Sequence, residues 1–207
     1  TEKDAGHYRA LGANNVIVTD NIKYSAAPLP YDADAFAALK LSVEGRPLWV
    51  YASTHAGEEA LACRAHKSLK EKLPGILTII APRHPDRRDD IVDICFQSGV
   101  KFRLRGANNA LPVSDDDIYI ADTMGELGLF YTLCPIAMIG RSFSDDGGGG
   151  HNPVEAAQLG CAVLTGPHNQ FQQQIYDDMK SASAVMEAKD EVEFTAILEE
   201  LLSNSTK

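Results

Sequence analysis

The chain has 207 residues, of which 44% are hydrophobic and 23% charged, a length and balance that suit one large globular α/β domain or one domain with an appendage. A formal net charge of −10 excludes a general nucleic-acid binder, which needs a basic surface. No apolar run approaches the roughly 20 residues of a membrane span, no signal-peptide pattern is present, and four scattered cysteines without a C-x-x-C read as reduced, buried thiols of a soluble cytosolic protein.

The chain starts at Thr1-Glu2-Lys3-Asp4, without Met and inside a helical pattern, which predicts a piece of something longer. A helix over 2–11 and a strand over 16–19 make a small unit spanning 1–24. Ser25-Ala26-Ala27-Pro28-Leu29-Pro30 reads as a linker, taken as 25–33. From 34 to 207 short apolar runs alternate with helical patterns. Strands are expected at 48–52, 77–81, 101–104, 118–121, 136–139, 162–164 and 184–186. Helices are expected at 34–41, 57–72, 86–97, 124–133, 153–159, 171–180 and 191–202. Strands this short, apolar on both faces and separated by helices, predict right-handed βαβ crossovers and a doubly wound, mainly parallel sheet.

In such a sheet, ligands bind beyond the carboxyl ends of the strands. The polar and Gly-rich signatures fall there repeatedly. Ser53-Thr54-His55-Ala56-Gly57-Glu58 follows the strand at 48–52, and Pro82-Arg83-His84-Pro85 follows the one at 77–81. Thr123-Met124-Gly125-Glu126 follows the strand at 118–121; it has the spacing of a capping box, and its amides suit a phosphate or a base edge. The run Gly147-Gly148-Gly149-Gly150-His151-Asn152-Pro153-Val154-Glu155 leaves a loop without side chains, open to close approach by a ligand. In that run Asn152 suits a helix N-cap, Pro153 the first helical position and Glu155 the third, so an anion or nucleotide cradle is expected.

Each signature also has a plainer reading. Arg83 offers a planar fork for phosphate or carboxylate, or a surface ion pair with Asp86 or Asp89. Ser53, Thr54 and His55 make a reactive cluster or an ordinary helix start. His55, His84 and His151 lack the spacing of a strong metal motif. His66 and Cys63 read as packing residues. The absence of G-x-S-x-G, of a P-loop and of an early G-x-G-x-x-G disfavours a serine hydrolase, a P-loop NTPase and an ordinary dehydrogenase.

Five runs together resemble the carboxyl-terminal half of the 3-deoxy-D-manno-octulosonic acid (Kdo) transferase family, in the family's order and spacing. They are Asp20-Asn21-Ile22-Lys23-Tyr24, Ala52 to Glu59, Pro82 to Arg87, Asp122-Thr123-Met124-Gly125-Glu126-Leu127 and Gly149 to Glu155. The resemblance covers most of residues 15–170. It implies a Rossmann-like domain, the C-terminal half of a GT-B glycosyltransferase, which binds the donor CMP-Kdo for inverting transfer to a lipid A precursor in lipopolysaccharide synthesis. The implied donor-binding set is Ser53, Thr54, His55, Gly57, Glu58, Pro82, Arg83, His84, Met124, Gly125, Glu126, Gly149, Gly150, His151, Asn152 and Glu155, with no metal and no cofactor. The acceptor-binding half, carrying the catalytic base and touching the cytoplasmic side of the inner membrane, is expected to lie outside this chain. Residues 1–24 would then be the end of the preceding domain or the hinge, and the isolated piece would be inactive. The sequence departs from the family pattern at Asp20, at Ala156 and in the acidic, glycine-rich loop 144–148. A GT-B domain using a UDP-sugar, an epimerase of that fold, a non-catalytic nucleotide-binding module and a metal hydrolase remain the competing readings.

Overall fold

The computed structural model describes residues 2–19, 21–106, 108–144 and 146–204. Asp20 and Asp145 lie outside the described residues. In chain order the elements are α1 (Glu2–Ala10), a 3-10 turn (Ile22–Ser25), α2 (Ala33–Ser42), β1 (Leu48–Thr54), α3 (Glu58–Lys70), β2 (Leu77–Pro82), α4 (Arg88–Ser98), β3 (Phe102–Leu104), β4 (Ile118–Ile120), α5 (Leu127–Leu133), β5 (Ile136–Ile139), α6 (Val154–Gln158), β6 (Ala162–Thr165), α7 (Gln173–Ser181), β7 (Met186–Glu187) and α8 (Glu191–Asn204).

The seven strands form one parallel sheet in the order β3-β4-β2-β1-β5-β6-β7. This is the doubly wound Rossmann-like architecture expected from the alternation. Winding runs from β1 through β2 to β4 and β3 in one direction, and from β5 to β7 in the other. The direction therefore switches between β1 and β5, where loops diverge and leave a crevice. Every residue of β1 is buried, and its side chains split between two cores. Leu48, Val50 and Ala52 face the core that holds Leu39 of α2, Phe130 of α5, Ala156 of α6 and Ile175 of α7. Trp49 and Tyr51 face the core that holds Leu61 of α3, Ile91 of α4 and Phe194 of α8. Apolar residues on both faces of the strands thus pay for helices on both sides.

The strand expected at 16–19 does not form. Val16-Ile17-Val18 is apolar enough, but no strand of the described sheet lies beside it, and Ile17 remains 78% exposed. A strand without a hydrogen-bonded neighbour has nothing to satisfy its backbone groups. The segment that follows is tied down. Lys23 Nζ donates to Gln172 Oε1 at 2.6 Å, Tyr24 OH to Asp178 Oδ2 at 2.8 Å, and Gln158 Nε2 to the Ala26 carbonyl at 3.0 Å. Residues 25–33 therefore run against the main sheet unit until Asp32 caps α2 by accepting from the Ala35 amide at 2.8 Å. The four cysteines are free and buried. Among the described residues no helix is long and apolar enough to cross a membrane.

Candidate functional site

A cleft of about 240 Å³ opens at the carboxyl ends of β1, β2 and β4. Ser53, Pro82, Arg83, Met124, Gly125, Glu126 and Glu155, all singled out from the sequence, line it. Leu29, Ala81, Ala121, Thr123, Leu127 and Phe130 complete the walls. Sequence reading missed Leu29, because the linker gave no sign that it would fold back over the strand ends.

The strand ends are set by local backbone constraints. Ser53, at the irregularity near the end of β1, and Arg141, just beyond β5, are both left-handed, with φ of 58° and 61°. Such a conformation costs on the order of 1–3 kcal/mol for a residue with a side chain and clusters at functional sites. The β1–β2 register shifts between Ala52 and Thr54, and the Arg83 amide donates to the Thr54 carbonyl at 3.1 Å. The two strand ends come so close that any side chain at Gly140 would run into the Ser53 carbonyl.

Glu58 holds this arrangement together. It is 1% exposed, and its carboxylate accepts from four backbone amides: His55 at 2.9 Å, Arg141 at 2.8 Å, Ser142 at 3.0 Å and Phe143 at 3.0 Å. Four acceptor positions are then occupied, so Glu58 positions two loops and offers nothing to a ligand. Thr54 is likewise buried, its hydroxyl donating to Glu59 at 2.9 Å, while Gly57 caps α3 outside the cleft. These three expected donor contacts are supports of the site rather than its lining.

Beside the cleft, His55 and His151 meet with their Nε2 atoms 2.9 Å apart, and His55 Nδ1 lies 3.1 Å from Asp146 Oδ2. This geometry assigns the neutral His55 proton to Nδ1 and makes His151 the donor between the rings. The His84 ring packs against His55 at 5.8 Å. Burial pushes His151 down to about 4, helped by His55, Arg83, Arg141 and His84. Burial also lowers His55, outweighing the pull of Asp146 and Glu58. Asp146 is held below the usual carboxylate range, first by the Ser144 hydroxyl and then by Arg141. Arg141 Nε is buried, 3.5 Å from Asp146 Oδ1, yet makes no hydrogen bond. Arg83 is exposed to the cleft and has no ion pair among the described residues, whereas nearby Arg87 is fully spent on Glu59 at 2.8 and 3.2 Å. The plainer alternative for Arg83, an ion pair with Asp86 or Asp89, is absent among the described residues. Burial thus favours the neutral form of His55 and His151, Arg141 faces Asp146, and the charge left without a match among the described residues is that of Arg83.

The glycine run serves a different end from the one expected. Gly149, at φ +124°, packs so tightly on Phe171 that a Cβ would overlap the ring. The amides of Gly149, Gly150 and His151 donate to the carbonyls of Arg141 and Gly140 at 3.0–3.2 Å. These amides are therefore spent within the chain, and the run is a folding device that delivers His151 to His55. Neither expected capping box closes in the ordinary way. Asn152 Oδ1 accepts from the Val154 amide at 3.2 Å, and its Nδ2 donates to Glu155 Oε1 at 3.1 Å, which orients Glu155 at the cleft. The helix expected from Met124 begins at Leu127, and Met124 is exposed. Glu126 turns instead to Arg105, which is 1% exposed and grips both carboxylate oxygens at 2.6 and 2.7 Å, and it also accepts from the Thr123 hydroxyl. Arg105 lies far upstream in an irregular stretch, and no local pattern marked it.

No family model matches the chain. The crystal structure of the C-terminal CMP-Kdo binding domain of WaaA from Acinetobacter baumannii superposes with a TM-score of 0.77 at 30% identity, covering 83% of this chain and 89% of that one. The chain belongs to the Kdo transferase family. It is also 33% identical over 203 residues to the 3-deoxy-D-manno-octulosonic acid transferase of Rickettsia felis, and 32% identical over 201 residues to that of Haemophilus influenzae. These alignments take in 98% and 96% of the chain but only 43% and 46% of the two relatives, so it spans less than half their length. Its sheet and flanking helices match those of that C-terminal domain, the Rossmann-like half of a GT-B fold.

Proposed function

We propose that this chain is the donor-binding half of a Kdo transferase and holds CMP-Kdo across the carboxyl ends of β4, β2, β1 and β5. The observation that carries this reading is Arg83, without an ion pair among the described residues, between an apolar cleft and the cluster of His55, His84, His151 and Arg141. An apolar cleft suits a base, and the guanidinium groups of Arg83 and Arg141 suit the phosphate and the sugar carboxylate. Glu155, oriented by Asn152, accepts from the ribose hydroxyls. In the reaction, the bond from the anomeric carbon to the phosphate oxygen breaks, CMP leaves with that electron pair, and an acceptor hydroxyl attacks the opposite face. Charge grows on the leaving phosphate, where Arg83 and the His84 imidazole stabilise it without needing a metal. The base that takes the hydroxyl proton, the lipid A precursor site and the contact with the cytoplasmic face of the inner membrane belong to the half of the protein outside this chain. Residues 1–24 are the end of that half or the hinge.

A thermal-shift titration tests the reading. CMP is expected to raise the melting temperature at concentrations where UDP does not, because the site carries one phosphate's worth of cationic groups beside a base slot. Stabilisation by UDP in preference to CMP would move the chain to the UDP-sugar enzymes of the same fold.

A further inference from the structure

Glu126 stands at the end of the cleft away from the histidine cluster. In the sheet order β4-β2-β1-β5, the loops after β4 and β5 are separated by three strand spacings, about 14 Å. Glu126 belongs to the first of these loops, among Leu29, Ala121, Leu127 and Phe130, whereas His151 and Arg141 belong to the second. Arg83, on the loop after β2, lies between the two, and a nucleotide whose phosphate sits on the β1 and β5 side of Arg83 lays its base towards Glu126.

The Glu126 carboxylate is unusually well specified. Arg105 takes one acceptor position on each oxygen, and Thr123 takes a second on Oε2. One position on Oε1 is left. Arg105 is itself immobilised, buried against the Phe130 ring at 5.8 Å and donating to Tyr119 OH at 3.1 Å. Although burial works against its charge, Glu126 is held below the usual carboxylate range by Arg105 and Thr123, so it stays an acceptor and never a donor.

We propose that Glu126, braced by Arg105, is the specificity-determining residue for the base, selecting cytosine over uracil by accepting a hydrogen bond from the exocyclic 4-amino group. The inference rests on the reading that the donor is a cytidine nucleotide. Its chemistry is general. Cytosine presents a donor at position 4, which suits a carboxylate. Uracil presents a carbonyl oxygen there, and two acceptors face each other with no proton between them. A site built around a buried polar contact rejects the ligand lacking it far more strongly than an apolar pocket rejects a small change in shape.

Calorimetric titration with CMP, UMP and the 4-deamino analogue of CMP (2-pyrimidinone riboside monophosphate) tests the proposal. The unaltered chain is expected to bind CMP about tenfold or more tightly than either competitor. Glu126→Gln keeps the shape and supplies an amide that can donate to uracil, so the CMP:UMP ratio is expected to fall below about threefold. A variant that keeps the full CMP preference overturns the role of Glu126 while leaving the donor reading intact. If the unaltered chain binds neither CMP nor UMP, the donor reading falls and takes the inference with it. Should Glu126→Gln fail to fold, the 4-deamino analogue decides on the unaltered chain: affinity equal to that of CMP removes the amino contact.

Discussion

The two ends of the sheet treat their charged groups in opposite ways. At the amino ends of the strands, Arg46 donates to the carbonyls of Gly75, Ile76, Val113 and Asp116 at 2.6–3.1 Å. Asp117 there accepts from Lys70 at 2.5 Å and from the Lys101 amide at 3.0 Å, and Arg103 pairs with Asp116 at 2.6 Å. Those charges are spent on fixing where the strands begin. At the carboxyl ends, Glu58 and Glu59 are spent in the same way, but among the described residues Arg83 has no ion pair and Arg141 Nε no hydrogen bond, and two residues sit in left-handed strain. Satisfied polar groups stabilise a fold; a concentrated remainder of unsatisfied ones marks where a ligand completes it.

That contrast can be broken by substitution. Arg46→Ala leaves four carbonyls without their donor and is expected to cost about 2–4 kcal/mol of stability by denaturant titration, with CMP affinity unchanged. A loss of affinity equal to the loss of stability would erase the distinction between the two ends. Arg83→Ala is expected to do the reverse, weakening CMP by about 1.5–3 kcal/mol in calorimetry while the ligand-free melting temperature stays where it was. An unchanged CMP affinity would take Arg83 out of the site.

A further effect concerns pH. Unfolded, His151 binds a proton near the usual 6.5; folded, it does so only near about 4, because burial and then the neighbouring cations oppose it. Between these values the unfolded chain carries more protons, so stability falls as pH drops from 6.5 towards 4 and gains nothing from this group above 6.5. His151→Gln is expected to flatten that part of the curve of urea midpoint against pH. A curve of unchanged slope would mean that the imidazole cluster is not strained by its own charge.

The alternation of strands and helices, the parallel sheet and the strand-end position of the site were legible in the chain itself. Each depends on local periodicity and turn chemistry, carried by neighbouring residues such as Leu48 to Thr54 or Asp122 to Leu127. Family motifs likewise named Arg83, Glu126 and Glu155 before any geometry was known. Tertiary structure alone decided which of the marked residues face the cleft. Glu58 and Thr54 look like ligands in sequence, yet they bond to groups far along the chain or deep in the core, and the glycine run meets Phe171 rather than open space. Leu29 and Arg105 carry no local signature at all. Their roles arise from contacts across long separations, and the failed strand at 16–19 shows the same rule in reverse. A local pattern states what a segment is able to form, and only a partner elsewhere decides whether forming it lowers the free energy.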